Sequence, residues 1–301
     1  MSRPIRYDFP GAVFHITSRG DRREPVFLDE DDRHAFLAVL GQACERHGFS
    51  VLAYCLMGNH YHLVACSECG ELSRFMRMLN GQYSLQFNRK RGWVGHVFQG
   101  RFKAVLVDDA VYLAAVVRYV ERNPVAAGLV PCPLSWRWSS VQHHLGTLAP
   151  WPWLDSQRVL TWMLGRAPHT TDEWAQARQQ YRQHVSAPEA DLALPPAWQE
   201  GFVLGRPAFV AQHLAAAQQA ASLAAHRQTL QRKAKSIAEW MAEPGPLHDR
   251  VWQAHVLSGH ALASIARHLE ISPSWASALL AKAVQARAQA GQGSPDGRPQ
   301  A

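Results

Sequence analysis

The stretch FSVLAYCLMGNHYHLVAC (residues 49–66) decides how this chain is read. Two apolar runs, 49–57 and 60–66, flank Gly58-Asn59, a dipeptide suited to a tight hairpin turn. The pattern predicts two antiparallel strands. It also sets His60 and His62 two residues apart. With 16 histidines in 301 residues, a random order supplies about one such pair, so the spacing alone decides nothing. Strand geometry adds to it, because side chains alternate and His60 and His62 must share a face while Tyr61 and Leu63 take the other. Two imidazoles on one face can converge on one divalent ion. A solvated histidine pair is the plain alternative.

Working outward, AVFHITS (12–18) alternates as a strand. Phe14 and Ile16 are its natural core residues, which turns Val13, His15 and Thr17 toward the histidine face. DEDDRHAFLAVLGQACERHG (29–48) opens with acids and ends on glycine, a helix. ELSRFMRMLNGQYSLQFNRKRG (71–92) reads as a second helix and RFKAVLV (101–107) as a fourth strand. DDAVYLAAVVRYVERNP (108–124) is a third helix, expected to close before Pro124. The order β-α-β-β-α-β plus a helix predicts an α+β, ferredoxin-like (RRM-like) antiparallel sheet. Its helices are expected on one face, leaving the other free for a site.

Leu113, Val116, Val117 and Val120 form the apolar stripe of the third helix. Tyr119 lies about 110° from the centre of that stripe at 3.6 residues per turn, with Asn123 one turn further on the same side. Two imidazoles and a carboxamide oxygen, completed by water and substrate oxygens, suit Mg²⁺ or Mn²⁺, with the nitrogen ligands leaning toward Mn²⁺. Of the competing tyrosines, Tyr83 falls on its own helix's apolar stripe, and Tyr112 has no ligand-type residue at i+4.

The chain has a net charge of +7, which favours an anionic partner such as nucleic acid. Neither a membrane span nor an apolar signal core is expected. The five cysteines are odd in number and suit a reducing cytoplasm. Cys66-x-x-Cys69 lacks a second pair to complete a zinc site.

Residues 1–147 read as one α+β unit and 148–240 as a helical extension, broken by the linker-like SAPEADLALPPAWQ (186–199). Within 241–287, Leu262, Ile265, Ala266, Leu269 and Ile271 have helix-turn-helix spacing, with Ser272 and Pro273 starting a second helix. Glu270 stands where such a turn usually has glycine. Residues 288–301 read as a disordered tail.

FHITSRG (14–20), MGNHYHLV (57–64), GHVFQGRFKAVLV (95–107) and YVERNPVAAGLV (119–130), in this order, resemble the single-tyrosine HUH transposases, specifically the REP-associated tyrosine transposases of bacteria. WRWSSVQHHLG (136–146) and EGFVLGRPAFVAQHL (200–214) extend the likeness. The resemblance implies that His60 and His62 are the two metal-binding histidines, Tyr119 the nucleophile and Asn123 the polar third ligand. It implies a single-stranded DNA endonuclease and strand transferase that cuts beside hairpins through a 5′-phosphotyrosine, acting as a monomer or homodimer in the cytoplasm, on the nucleoid. Arg19, Arg89, Lys90, Arg91, Arg101 and Lys103 are the expected phosphate contacts, with Trp93 and Phe98 able to stack on bases. Two other readings are a catalytically inactive DNA-binding regulator and an RNA-binding ferredoxin-like module, though the RRM signature is absent.

Overall fold

The computed structural model describes residues 8–188, 194–195, 198, 201–213, 215 and 235–291. It forms two compact units, 1–217 and 218–301, taken here in turn. The first is built on a five-stranded sheet: β1 (Val13–Arg19), β2 (Phe49–Leu56), β3 (His60–Ser67), β4 (Lys103–Val107) and β5 (Val203–Leu204). The spatial order is β2-β3-β1-β4-β5. The first four strands pair antiparallel, and β5 runs parallel to β4. The turn from β2 to β3 is the tight one expected, closed by the Met57 N–H donating to the His60 carbonyl at 2.9 Å.

Helices α1 (Glu30–His47) and α2 (Leu72–Arg91) cover one face. Asp29 caps α1 by accepting the Asp32 N–H at 2.8 Å, and Gly48 ends it at φ +60°, where a glycine costs least. Phe36, Leu37 and Leu40 of α1 and Phe75, Leu79 and Tyr83 of α2 meet Phe14, Ile16, Tyr61 and Leu63 of the sheet in one core. Tyr61 and Tyr83 are therefore core residues.

The expectation of helices on one face only is overturned. The opposite face carries Val13, Val64, Val105 and Val107, and α3 (Asp109–Ala126), α5 (Ser156–Leu164) and α6 (Thr171–Ser186) bury it through Leu113, Val116, Val117, Val120, Val159, Leu160 and Tyr181. A short α4 (Val141–His144) sits between. A bulge at Leu52 turns both Leu52 and Ala53 toward this second core. The histidine face is thus shared between a core and a site.

Helix α3 also runs through Pro124 instead of stopping before it. Proline leaves the Val120 carbonyl without its usual donor. The Asn123 side-chain amide compensates, donating to the Tyr119 carbonyl at 2.9 Å and the Val120 carbonyl at 3.4 Å.

Glu121 is fully buried beneath α3, accepting hydrogen bonds from Ser140 Oγ at 2.6 Å and from the Tyr181 hydroxyl. Burial pushes its carboxyl up to about 7, against the opposing pull of these hydrogen bonds. A carboxyl raised on folding contributes stability that is complete below its unfolded pKa and lost as pH rises through the folded one. We expect stability to fall by about 3 kcal/mol between pH 4.5 and 7 from this residue. Urea unfolding of the wild type minus Glu121→Gln across that range reads the effect, and a flat difference would refute it.

In the second unit, helices Ile237–Ala242, Leu247–Trp252, Leu262–His268 and Pro273–Gly291 enclose a small core with Val251, Ala254 and Ile265. Helix Leu262–His268 ends in a turn where the Glu270 N–H donates to the Arg267 carbonyl and the Ile271 N–H to the Ala266 carbonyl. Glu270 sits at φ +55°, the conformation this motif normally gives to glycine. Glu270→Gly should therefore stabilise this turn by about 1 kcal/mol. Amide exchange at Ala266–Leu269 measures it, and faster exchange in the variant would contradict it. Ser272 caps the next helix by accepting the Trp275 N–H at 3.2 Å. That helix continues to Gly291, so 288–291 are helical where a tail was expected, and 292–301 lie outside the described residues. Most of the 186–199 linker and residues 216–234 also lie outside them.

Candidate active site

β1 and β3 are neighbours, with Thr17 opposite His62 and Arg19 opposite His60. That register puts His15, His60 and His62 on one face, at the end that the second core leaves uncovered. Tyr119 and Asn123 reach the same place from α3. Together with Thr17, Ser18, Arg19, Gln99, Arg101, Lys103 and Val105 they line a cavity of ≈ 390 Å³.

The rings pack closely. His60 and His62 are 5.0 Å apart between centroids, and the Tyr119 ring stands edge-on to His62 and to His15 at 5.8 Å each. His15 Nε2 lies 3.0 Å from His62 Nδ1, and His60 Nδ1 lies 2.7 Å from Asn59 Oδ1. Burial pushes His15 down to about 3. Burial, then the charge of Arg19, lowers His60 to about 4. His62 is held well below its ordinary value by burial, reinforced by His15 and His60. All three imidazoles are neutral at neutral pH, so each ring keeps one nitrogen lone pair, and the tautomer decides which.

Those observations test the fit of a divalent ion. His62 Nε2 is buried with no hydrogen-bond partner among the described residues. Asn123 spends its amide nitrogen on its own helix, which leaves Oδ1 for the cavity. Among the described residues no three His, Cys, Asp or Glu side chains form an ion-holding group, and Cys66 and Cys69 are free thiols. Two imidazole nitrogens and a carboxamide oxygen therefore fit a cation that keeps part of its shell for water and substrate.

Of the six expected phosphate contacts, Arg19, Arg101 and Lys103 line the cavity. Arg89, Lys90 and Arg91 sit at the far end of α2. Lys90 pairs with Asp29, Asp31 and Asp32, and Arg91 with Asp29 and Asp32. Phe98 is core, whereas Trp93 is 55% exposed. Gly20, which ends the first motif, has its reason here: a Cβ would lie 2.1 Å from the Glu24 carbonyl oxygen.

Trp198 is a residue that sequence reading missed. Its ring lies 4.9 Å from His15 and 5.3 Å from Tyr119, perpendicular to the tyrosine. It stands in a proline-rich stretch that reads as linker, so periodicity gives no sign of it.

Residues 9–123, which run from the strand carrying His15 to the carboxamide beside Tyr119, match the family described as IS200-like transposase. Over that segment the chain is similar to this family. The chain is also similar to a Haemophilus influenzae protein named a REP-associated tyrosine transposase, 27% identical over 147 residues, spanning 45% of this chain and 83% of that protein. Two solved structures are similar over part of the chain. One is a REP-associated tyrosine transposase bound to a REP hairpin, with TM-score 0.42 and 20% identity over 50% of this chain and 89% of that one. The other, from Deinococcus radiodurans R1 and described as a transposase, has TM-score 0.29 and 17% identity over 40% and 95%. No described helix is long and apolar enough to cross a membrane.

Proposed function

We propose that this protein is a metal-dependent single-stranded DNA endonuclease and strand transferase that cuts at REP-like hairpins through a 5′-phosphotyrosine. The observation that carries the reading is one cavity lined by Tyr119, His60, His62 and Asn123 together with three cationic side chains. Its hairpin substrate rests on the kinship with REP-associated transposases.

Mg²⁺ or Mn²⁺, held by His60, His62 and Asn123, would supply charge neutralisation at the scissile phosphate. Arg19, Arg101 and Lys103 grip phosphate oxygens and set the strand's path. Tyr119 Oη attacks phosphorus in line as the bond to the 3′-oxygen breaks, giving a 5′-phosphotyrosine and a free 3′-hydroxyl. One phosphodiester replaces another, so attack by a second 3′-hydroxyl reverses the step and joins strands. Trp198 and His15, packed on Tyr119, limit the directions its ring can take. Lys90 and Arg91 reach DNA only by giving up their ion pairs with Asp29 and Asp32.

The four strands β1–β4 with α1 and α2 are read as a ferredoxin-like unit, and 1–147 as the catalytic segment. Residues 148–240 are its extension. Residues 241–287 are read as a helix-turn-helix that binds duplex DNA; the short turn between Leu262–His268 and Pro273–Gly291, with exposed Trp275 and Lys282 beyond it, supports this. The proposed location is the cytoplasm, on the nucleoid.

Labelled single-stranded hairpin oligonucleotides from DNA flanking its own gene provide the test. Mn²⁺ or Mg²⁺ should yield a cut strand and a covalent protein–DNA band on denaturing gels, both abolished by chelator. Tight binding with no cleavage under either ion would favour the inactive regulator.

A further inference from the structure

Both histidines assigned to the ion are held through the same ring atom. Asn59 Nδ2 donates to the Arg23 carbonyl at 2.9 Å, so the atom it turns to His60 Nδ1 at 2.7 Å is its oxygen, an acceptor. His60 Nδ1 therefore carries the proton and Nε2 is a bare lone pair. The second ring has two choices, since His62 Nδ1 faces His15 Nε2 at 3.0 Å. If His15 donated, His62 would carry an Nε2–H sealed away without an acceptor among the described residues, an arrangement that buried donors avoid. If His62 donates, its Nε2 lone pair is bare, ready for a cation.

We propose that Asn59 and His15 are positioning residues that lock His60 and His62 in the Nδ1–H tautomer and so aim both Nε2 lone pairs into the cavity before any ion arrives. This rests on the metal-site reading above and adds how the site is pre-set. The free side chain prefers the opposite tautomer, Nε2–H, so the lock has work to do. Metal-ligating histidines generally need such a partner on the other ring nitrogen. Asn59 is itself fixed: its carbonyl accepts the Gly20 N–H at 2.8 Å, and its side chain holds the turn where Arg22 and Arg23 stand at φ +50° and +63°. The exposed double-arginine turn and the orientation of His60 are thereby joined through one residue.

The test uses the full-length ¹⁵N-labelled protein without metal. Long-range ¹H–¹⁵N correlation should show His60 and His62 both as Nδ1–H. Asn59→Ala should return His60, and His15→Leu should return His62, to the Nε2–H form. Each variant should weaken Mn²⁺ binding, measured by calorimetry, about 10–100-fold. His15→Gln fills similar space and keeps an acceptor, so it should retain the Nδ1–H form and most of the affinity. An Nε2–H signal for His62 in the wild type, or equal Mn²⁺ affinity in His15→Leu and His15→Gln, overturns the proposal. A wild type with both rings Nδ1–H that binds no Mn²⁺ would uphold the lock and sink the metal site instead.

Discussion

Removing both imidazoles, in His60→Ala/His62→Ala, is expected to lower metal-dependent cleavage of a hairpin substrate by at least about 10³-fold. Phosphoryl transfer gives a protein little covalent work beyond the nucleophile, so positioning and charge stabilisation carry most of the rate. The two rings sit 5.0 Å apart on one strand face, and His62 Nε2 has no other partner among the described residues. Loss of the pair removes both nitrogen ligands while Arg19, Arg101 and Lys103 still grip the strand. DNA affinity in chelator should therefore change little while cleavage collapses, a split that single-turnover kinetics and binding titrations read separately. Cleavage that persists near the wild-type rate would remove these histidines from the chemistry.

The second large effect belongs to Tyr119→Phe. Its ring packs edge-on to His15, His62 and Trp198, and phenylalanine keeps that packing, so fold and metal affinity should stay as they are. Only the attacking oxygen is lost. Cleavage should fall by roughly four orders of magnitude or more, as when a covalent nucleophile is deleted. Persistent strand scission in Tyr119→Phe would point to another nucleophile. Geometry argues against Tyr83 as the substitute, since it is 1% exposed in the core and donates to the Val26 carbonyl.

Local pattern made much of this visible in advance. Period-two alternation placed His60 and His62 on one face, and period-3.6 spacing put Tyr119 at the margin of the α3 stripe, because both rules depend on backbone geometry alone. What pattern hides is which distant segment covers a face. α3 packs on β2 and β3 and α5 on β2, with α6 behind them, turning an expected open surface into a core with a site at its edge, and nothing local in β3 announces that. Pro124 reads as a helix end because the compensating donor, the Asn123 amide, acts through one side-chain rotamer within the helix, which residue type alone does not announce. Trp198 comes from a stretch whose composition suggests linker, and β5 from one read as helical extension. The Asn59 contact is hidden for a different reason: a turn asparagine is explained by the turn itself, so its second role leaves no trace in spacing.

The proposed reaction stands on a covalent bond between Tyr119 and the 5′-phosphate of a cut strand. The direct measurement is to trap wild-type protein on a single-stranded hairpin with Mn²⁺, digest with protease and nuclease, and map the nucleotide adduct by mass spectrometry. A phosphonucleotide is expected on the peptide containing Tyr119, with none in the presence of chelator. An adduct on another residue, or efficient metal-dependent cleavage with no adduct at all, would contradict it.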